Sequence, residues 1–396
     1  MNPERALVLF VVEQMVHNKR TKEVEDLCFK DIDWSRFKEI ITYHDLTPFA
    51  YSLLKDFDSS LPQDLMEFLK NNYYCALVRC QSLWQEFLRI SGAFKESNIT
   101  LLPIKGMALL HDLYMDKPIR PMTDIDILVK EDDIKKAEAI FSDIGYRKEL
   151  YDLREEYWRE NQCHIAFYKK EKEGLPFVEL HWGIDFKREN RTILPELWGR
   201  TRCIDVDGKR IDLLSPEDTL FSLALHNRRF GRTLCLKNAY DVMLLLNKYS
   251  NNFDWDYCLD MNRKYRLCAS LFFILYQAKF LLETNIPGNI MKKLNVPNWK
   301  KRMIRYFIEK NTFSLDLTKK GKDLYLKNHF LLYDSFWEPI KYILDIPREQ
   351  FAKFYGLEAY NKKTDFLYKM RLMYMPLKCI TGKSYRKYTD LVFNAK

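Results

Sequence analysis

The spacing of apolar and polar positions divides the chain into helical ends and a short stranded middle. Leu7, Phe10, Val11, Gln14 and Met15 keep helical spacing, and Phe37, Ile40, Ile41 and His44 continue it. Thr47-Pro48 marks a boundary before Phe49, Leu53 and Leu54. A long helix is expected from about Gln63 through Phe94, its packing stripe running from Leu65, Phe68 and Leu69 through Tyr73 and Leu77 to Leu83 and Phe87. The period then changes. Leu101 to Ile104 reads as a short buried strand, and Lys105-Gly106 turns the chain into a helix carrying Met107, Leu109, Leu110 and Leu113. Asp116-Lys117-Pro118 stops that helix, after which Ile125, Ile127 and Val129 alternate with Asp124, Asp126 and Leu128, as a strand with one buried face requires.

Further on, Asp132 or Asp133 is placed to cap a helix whose inner face is Ile134, Ala137, Ile140 and Phe141, with Gly145 at its end. The charged stretch 147–162 is expected to cross the surface. Cys163 to Tyr168 and Phe177 to Trp182 read as two strands joined by the polar turn 169–176, and Asp207-Gly208 turns a second hairpin within Cys203 to Leu214. Ser215-Pro216-Glu217-Asp218 opens a helix with a hydroxyl cap, a proline at its first position and acid in its first turn. The rest reads as helical, with breaks near Pro287, Pro339, Pro347 and Pro376. The expected fold is α/β (α+β): a small mixed sheet flanked by helical segments. It divides into an N-terminal helical cap (1–97), a core (98–214) and a C-terminal helical domain with a basic tail (215–396).

Candidate chemistry gathers on the stranded middle. Two aspartates at i and i+2 of a strand lie on one side, about 7 Å apart along it. Asp124 and Asp126 can therefore share a hard divalent cation such as Mg²⁺, which takes a few carboxylate oxygens and keeps positions for water and phosphate. Such a pair also occurs as a plain solvated strand edge. Glu179 and His181 lie on one face of a later strand. The seven histidines form no His-x-x-x-His pair or Cys/His cluster at zinc spacing, and neither a phosphate-binding glycine-rich string nor a Gly-x-Ser-x-Gly elbow is present.

The order Lys105-Gly106, helix, Arg120-Pro121-Met122, Asp124-Ile125-Asp126-Ile127-Leu128-Val129, and then Val178-Glu179-Leu180-His181-Trp182 resembles the polymerase-β-type nucleotidyltransferase superfamily. More narrowly, it is similar to a bacterial group of uncharacterised nucleotidyltransferases, over residues 60 to 245. The chain departs from the wider superfamily in carrying Met107 where Gly or Ser usually follows the motif glycine. The resemblance implies transfer of a nucleoside monophosphate from an NTP to an unidentified acceptor hydroxyl, on a small molecule, a peptide or RNA, by a two-metal mechanism. It implies two ions, Mg²⁺ or Mn²⁺, held by Asp124, Asp126 and Glu179. Lys105, Gly106, Arg120, His181 and Lys237 would bind nucleotide, with His164 a weaker candidate. His226 and Asp241 also resemble recurring positions of the group, although Lys237 and Asp241, at i and i+4, equally suit a helix ion pair. A tRNA-modifying, toxin-like transferase and a non-catalytic binding protein of the same fold are the alternatives.

Composition narrows this little. The chain has 396 residues, 47% of them hydrophobic, and only 12 glycines, which suits a large, mostly helical core. Nine cysteines, odd in number and without a Cys-x-x-Cys pair, suggest reduced thiols in a cytoplasmic protein. No segment reads as a signal peptide or a transmembrane span. The net charge of +9 is uneven: residues 291–396 hold 23 Lys and Arg against 10 Asp and Glu. That excess suits contact with RNA or another polyanion, an anionic membrane surface, or simply a solvated helical surface.

Overall fold

The computed structural model describes residues 3–17, 32–56, 61–114, 119–169, 177–185, 194–229, 234–313 and 330–374. The N-terminal part is helical: α1 (Pro3–His17), α2 (Trp34–Tyr43), α3 (Thr47–Leu54) and α4 (Gln63–Glu96). The Asp33 carboxylate starts α2 by accepting the Arg36 amide at 3.0 Å. Pro48 occupies the first turn of α3, where its missing N–H leaves no bond unmade.

Next come β1 (Leu101–Ile104), α5 (Lys105–Leu113), β2 (Asp124–Val129), α6 (Ile134–Asp143), β3 (Arg147–Glu149), α7 (Glu155–Asn161), β4 (His164–Tyr168) and β5 (Phe177–His181). The strands form one sheet in the order β1-β2-β5-β4-β3, mixed because β2 runs parallel to β5 while every other pair is antiparallel. One face carries Ile125, Ile127, Val129, Ile165, Phe167, Val178 and Leu180 into the main core with Phe87 and Phe94 of α4 and Phe141 of α6. Phe141 stacks on Phe167 with ring centres 4.6 Å apart. On the opposite face Leu102, Ile104 and Leu128 join Leu214, Phe221 and Leu225 in a smaller cluster.

Several expectations change. The stretch 147–162 does not merely cross the surface: Arg147–Glu149 pairs with β4 as the sheet's edge, and α7 follows. An edge strand needs a backbone partner on one side only, so charged side chains that stay outside do not prevent it. Asp133 precedes α6 without a side-chain cap, because Glu131–Asp133 winds into a 3-10 turn. Gly145 ends α6 as expected, at φ +86°, with its amide and that of Tyr146 returning to Ser142 and Phe141.

The chain continues through α8 (Leu194–Gly199), the hairpin β6 (Arg202–Val206) and β7 (Lys209–Leu213), then α9 (Pro216–Arg229), α10 (Leu236–Tyr249), α11 (Trp255–Lys264), α12 (Cys268–Leu282), α13 (Ile290–Lys293) and α14 (Asn298–Asn311). Asp207 and Gly208 both take positive φ, 52° and 75°, as a tight hairpin turn demands. The Ser215 hydroxyl accepts the Asp218 amide at 3.1 Å, capping α9. Pro339 does not break the chain; it lies in the first turn of the helix Trp337–Leu344, whereas Pro347 stands just before the helix Arg348–Tyr355. The expected stop at 115–118, the turn residues 170–176 and Pro376 lie outside the described residues. The described cysteines carry no disulfide, and among the described residues no helix is long and apolar enough to cross a membrane.

Two buried polar contacts tie the layers together. His44, after α2, accepts the Leu236 amide through Nδ1 at 3.2 Å, and burial pushes its pKa down to about 4, so it remains the neutral acceptor this bond needs. Glu86 of α4 accepts from Arg89 and Tyr146 at 2.5 Å and from Lys169 at 3.1 Å. Burial opposes its charge, but these donors bring its pKa from 4.5 down to about 2. The folded value lies below the unfolded one, so this stabilisation is present above about pH 4.5 and is lost as pH falls toward 2. Glu86→Gln is therefore expected to flatten the acid limb of the melting temperature between about pH 4.5 and 2 relative to the native chain. Parallel acid limbs would show that Glu86 does not supply it.

Candidate active site

Register builds the site. In the parallel pair, Asp126 lies beside Glu179 and Asp124 beside Phe177. Side chains alternate along a strand, so Asp124, Asp126, Glu179 and His181 share the face opposite the main core. His164 of β4 is paired with His181, and their imidazole centres are 4.7 Å apart. Lys105 arrives from the end of β1, where the backbone turns into α5 at φ +51°. The left-handed residue is thus the lysine and not the glycine after it. Such a conformation costs a non-glycine residue of the order of 1 kcal/mol or more and persists only where surrounding contacts hold it.

Those contacts are ionic. Lys105 Nζ donates to Asp126 Oδ1 at 2.5 Å and lies 3.5 Å from Glu179 Oε2. His181 Nε2 is 3.0 Å from Asp126 Oδ1 and 3.2 Å from Glu179 Oε2, and His164 Nε2 is 3.9 Å from Glu179 Oε2. Burial works against the Lys105 charge, yet Asp126 and Glu179 raise its proton affinity above that of an ordinary lysine. Burial also opposes the Glu179 charge, but His164, Lys105 and His181 hold its carboxyl well below the usual carboxylate range. For His181, burial and Lys105 oppose protonation, while polar contacts with Asp126, Cys163 and Glu179 push its pKa up to about 10. The cluster sets the Asp126 and Glu179 carboxyl groups against the Lys105 ammonium and the His181 imidazole.

These residues fit a divalent cation. Asp126, Glu179 and His181 each bring a donor atom to within 4.8 Å of the others, and the Lys105 ammonium already lies against both carboxylates. The oxygen donors suit a hard ion such as Mg²⁺. Asp124 is half-buried at the start of β2 on the same face.

The structure does not bring every expected residue here. Arg120 is buried against Asp241 of α10, with Nε to Oδ1 at 2.9 Å and Nη2 to Oδ2 at 2.7 Å, and the Tyr114 hydroxyl donates to the same Oδ1 at 2.7 Å. Lys237 does not pair with Asp241 one turn away; it reaches Asp45 at 2.8 Å and the Pro121 carbonyl at 3.1 Å. Gly106 packs on this support: a Cβ there would come within 3.1 Å of both Arg120 Nη1 and Met122 Sδ. His226, on α9, is half-buried. Cys163 has no motif to announce it, yet its Sγ lies 3.7 Å from His164 Nδ1. Its position immediately before the strand that pairs with Glu179-Leu180-His181 was the available signal.

No curated protein matches the chain. Two solved structures do. The lincosamide antibiotic adenylyltransferase LnuA, lincomycin-bound, is 16% identical over 41% of this chain and 94% of its own, with a TM-score of 0.29. ANT(2")-Ia in complex with adenylyl-2"-tobramycin is 14% identical over 46% of this chain and 95% of its own, with a TM-score of 0.33. A family model described as uncharacterised nucleotidyltransferase matches residues 30–283, more than half of the chain. The chain belongs to this uncharacterised nucleotidyltransferase family.

Proposed function

We propose that the chain transfers a nucleoside monophosphate from a nucleoside triphosphate to an acceptor hydroxyl. The observation that carries this reading is the parallel pairing of β2 with β5, which sets Asp126 beside Glu179 and leaves Asp124 two residues away on the same face. Asp124, Asp126 and Glu179 would hold two Mg²⁺ or Mn²⁺ ions, which when bound neutralise charge on the attacking and leaving oxygens. The acceptor oxygen bonds to the α-phosphorus, the bond from that phosphorus to the bridging oxygen breaks, and pyrophosphate departs with the bond's electrons. The acceptor proton passes to Glu179, whose carboxyl is kept ionised by its neighbours.

Lys105 and the start of α5 at Gly106 supply positive charge and backbone amides for the triphosphate. His181 is a positioning residue, since one imidazole nitrogen contacts both Asp126 and Glu179. Arg120 and Lys237, tied to Asp241 and Asp45, support the site from behind.

Thermal melts with each NTP, in Mg²⁺ or Mn²⁺ and in EDTA, test this. A ligand of the folded state alone, at 100 times its Kd, stabilises by about 2.7 kcal/mol. At least one NTP is expected to raise the midpoint with metal and not with EDTA. No metal-dependent shift with any NTP would leave the chain as a non-catalytic protein of this fold.

A further inference from the structure

Behind the carboxylates lies a second group of donor atoms with different chemistry. Cys163, His164 and His181 each offer a ligand atom within 4.8 Å of the others. Cys163 Sγ is 3.7 Å from His164 Nδ1. A tetrahedral zinc ion with Zn–S of about 2.3 Å and Zn–N of about 2.05 Å needs a sulfur-to-nitrogen distance of about 3.5 Å, so this pair already stands close to the required spacing.

The imidazoles are turned suitably. His164 directs Nε2 toward Glu179 and Nδ1 toward the sulfur. His181 directs Nε2 to Asp126 and Glu179, while its Nδ1, in a side chain only 1% exposed, is buried with the Cys163 thiol as its polar neighbour. A carboxylate accepting one N–H of an imidazole leaves the other nitrogen to ligate a metal once the metal displaces its proton, which is the usual support behind a metal-bound histidine. The backbone makes this grouping possible. Cys163 lies in a bend just before β4, so it escapes the alternation that would send it to the opposite side from His164. The Trp182 amide donates to the Cys163 carbonyl at 2.9 Å, and Gly183, where a Cβ would lie 3.4 Å from Cys163 Cβ, leaves room for the side chain.

We infer that Cys163, His164 and His181 form a binding site for a thiophilic divalent ion of the Zn²⁺ class, separate from the oxygen-donor site on Asp124, Asp126 and Glu179. One sulfur and two nitrogens select zinc over magnesium, and three protein ligands leave a fourth position open. Because His181 belongs to both groups, zinc at Nδ1 fixes the imidazole whose Nε2 contacts the catalytic carboxylates.

The test uses full-length protein stripped with chelator, reduced, and kept in excess Mg²⁺ to occupy the oxygen-donor site. Zn²⁺ is titrated against a chromophoric chelator, and Co²⁺ is added separately as a spectroscopic probe. The expected result is one high-affinity Zn²⁺ per chain and a thiolate-to-cobalt charge-transfer band. Cys163→Ala and His164→Gln should each weaken binding by on the order of 100-fold, since losing a ligand exceeds the about 10–100-fold cost of disturbing the residues behind one. Asp124→Asn, in the oxygen-donor site, should retain the charge-transfer band. Circular dichroism of each variant verifies folding, and Cys163→Ser provides a nearly isosteric second probe. Zinc affinity unchanged in both Cys163 variants, absence of the charge-transfer band, or zinc displaced by Mg²⁺ overturns the proposal. The NTP melts in Mg²⁺ are unaffected by such a failure, so the two readings fail separately.

Discussion

Asp126→Asn is expected to abolish Mg²⁺-dependent nucleotide binding. Asp126 is 4% exposed and its Oδ1 faces both Lys105 Nζ and His181 Nε2. Disturbing the residues behind a metal ligand already lowers affinity about 10–100-fold, so loss of Asp126, which we propose as a ligand itself, should weaken Mg²⁺-dependent NTP binding by on the order of 100-fold or more. The variant should also melt lower in the absence of metal, because the Lys105 and His181 cations lose the anion they share, and breaking a buried charge pair from one side leaves the other charge uncompensated. Asp124→Asn separates the two effects. Asp124 is half-buried at the strand's edge, so its replacement should reduce metal-dependent binding with a smaller change in melting temperature. Calorimetry of NTP binding with Mg²⁺ and with EDTA, paired with melts of the metal-free proteins, reads both quantities. Unchanged Mg²⁺-dependent binding in Asp126→Asn would remove it from the metal site.

The largest effect on stability is expected at Arg120. Its guanidinium grips Asp241 through two parallel hydrogen bonds inside the protein, with Tyr114 completing the carboxylate's shell. Arg120→Leu would strand a carboxylate that is fully buried, and breaking a buried pair from one side costs about 3–5 kcal/mol. Arg120→Lys should recover only part of the loss, since an ammonium cannot make the paired contact. Arg120→Leu combined with Asp241→Leu should be milder than Arg120→Leu alone, because no buried charge then remains unpaired. Urea unfolding measures all three. Native stability but impaired NTP binding in Arg120→Leu would instead make Arg120 a nucleotide contact.

These cases separate what a short stretch of sequence encodes from what requires the folded chain. The alternation of Ile125, Ile127 and Val129 with Asp124 and Asp126 sets which face of β2 is buried, because period two is a local property of an extended backbone. Asp207-Gly208 and Gly145 are equally legible, since their positive φ angles are set within one residue. The motif residues Lys105, Asp126, Glu179 and His181 are readable as candidates, and the structure gathers them within hydrogen-bonding range.

Other features depend on partners far apart in the chain. Nothing local states that β2 and β5 pair in parallel with Asp126 opposite Glu179; that pairing goes with both strands burying their apolar faces against α4 and α6. Arg120 and Lys237 look alike in sequence as cations near a phosphate site, but the return of α10 beside α5 and the N-terminal helices gives each its own carboxylate, Asp241 and Asp45. Charge alone cannot tell a cation awaiting a ligand from one already neutralised, since an ionic contact depends on distance and burial. Local pattern alone establishes the helical ends, the stranded middle and the residue types of the site. Packing of the whole chain selects which of those residues meet, because strand register and buried ion pairs join positions whose separation along the chain carries no local signal.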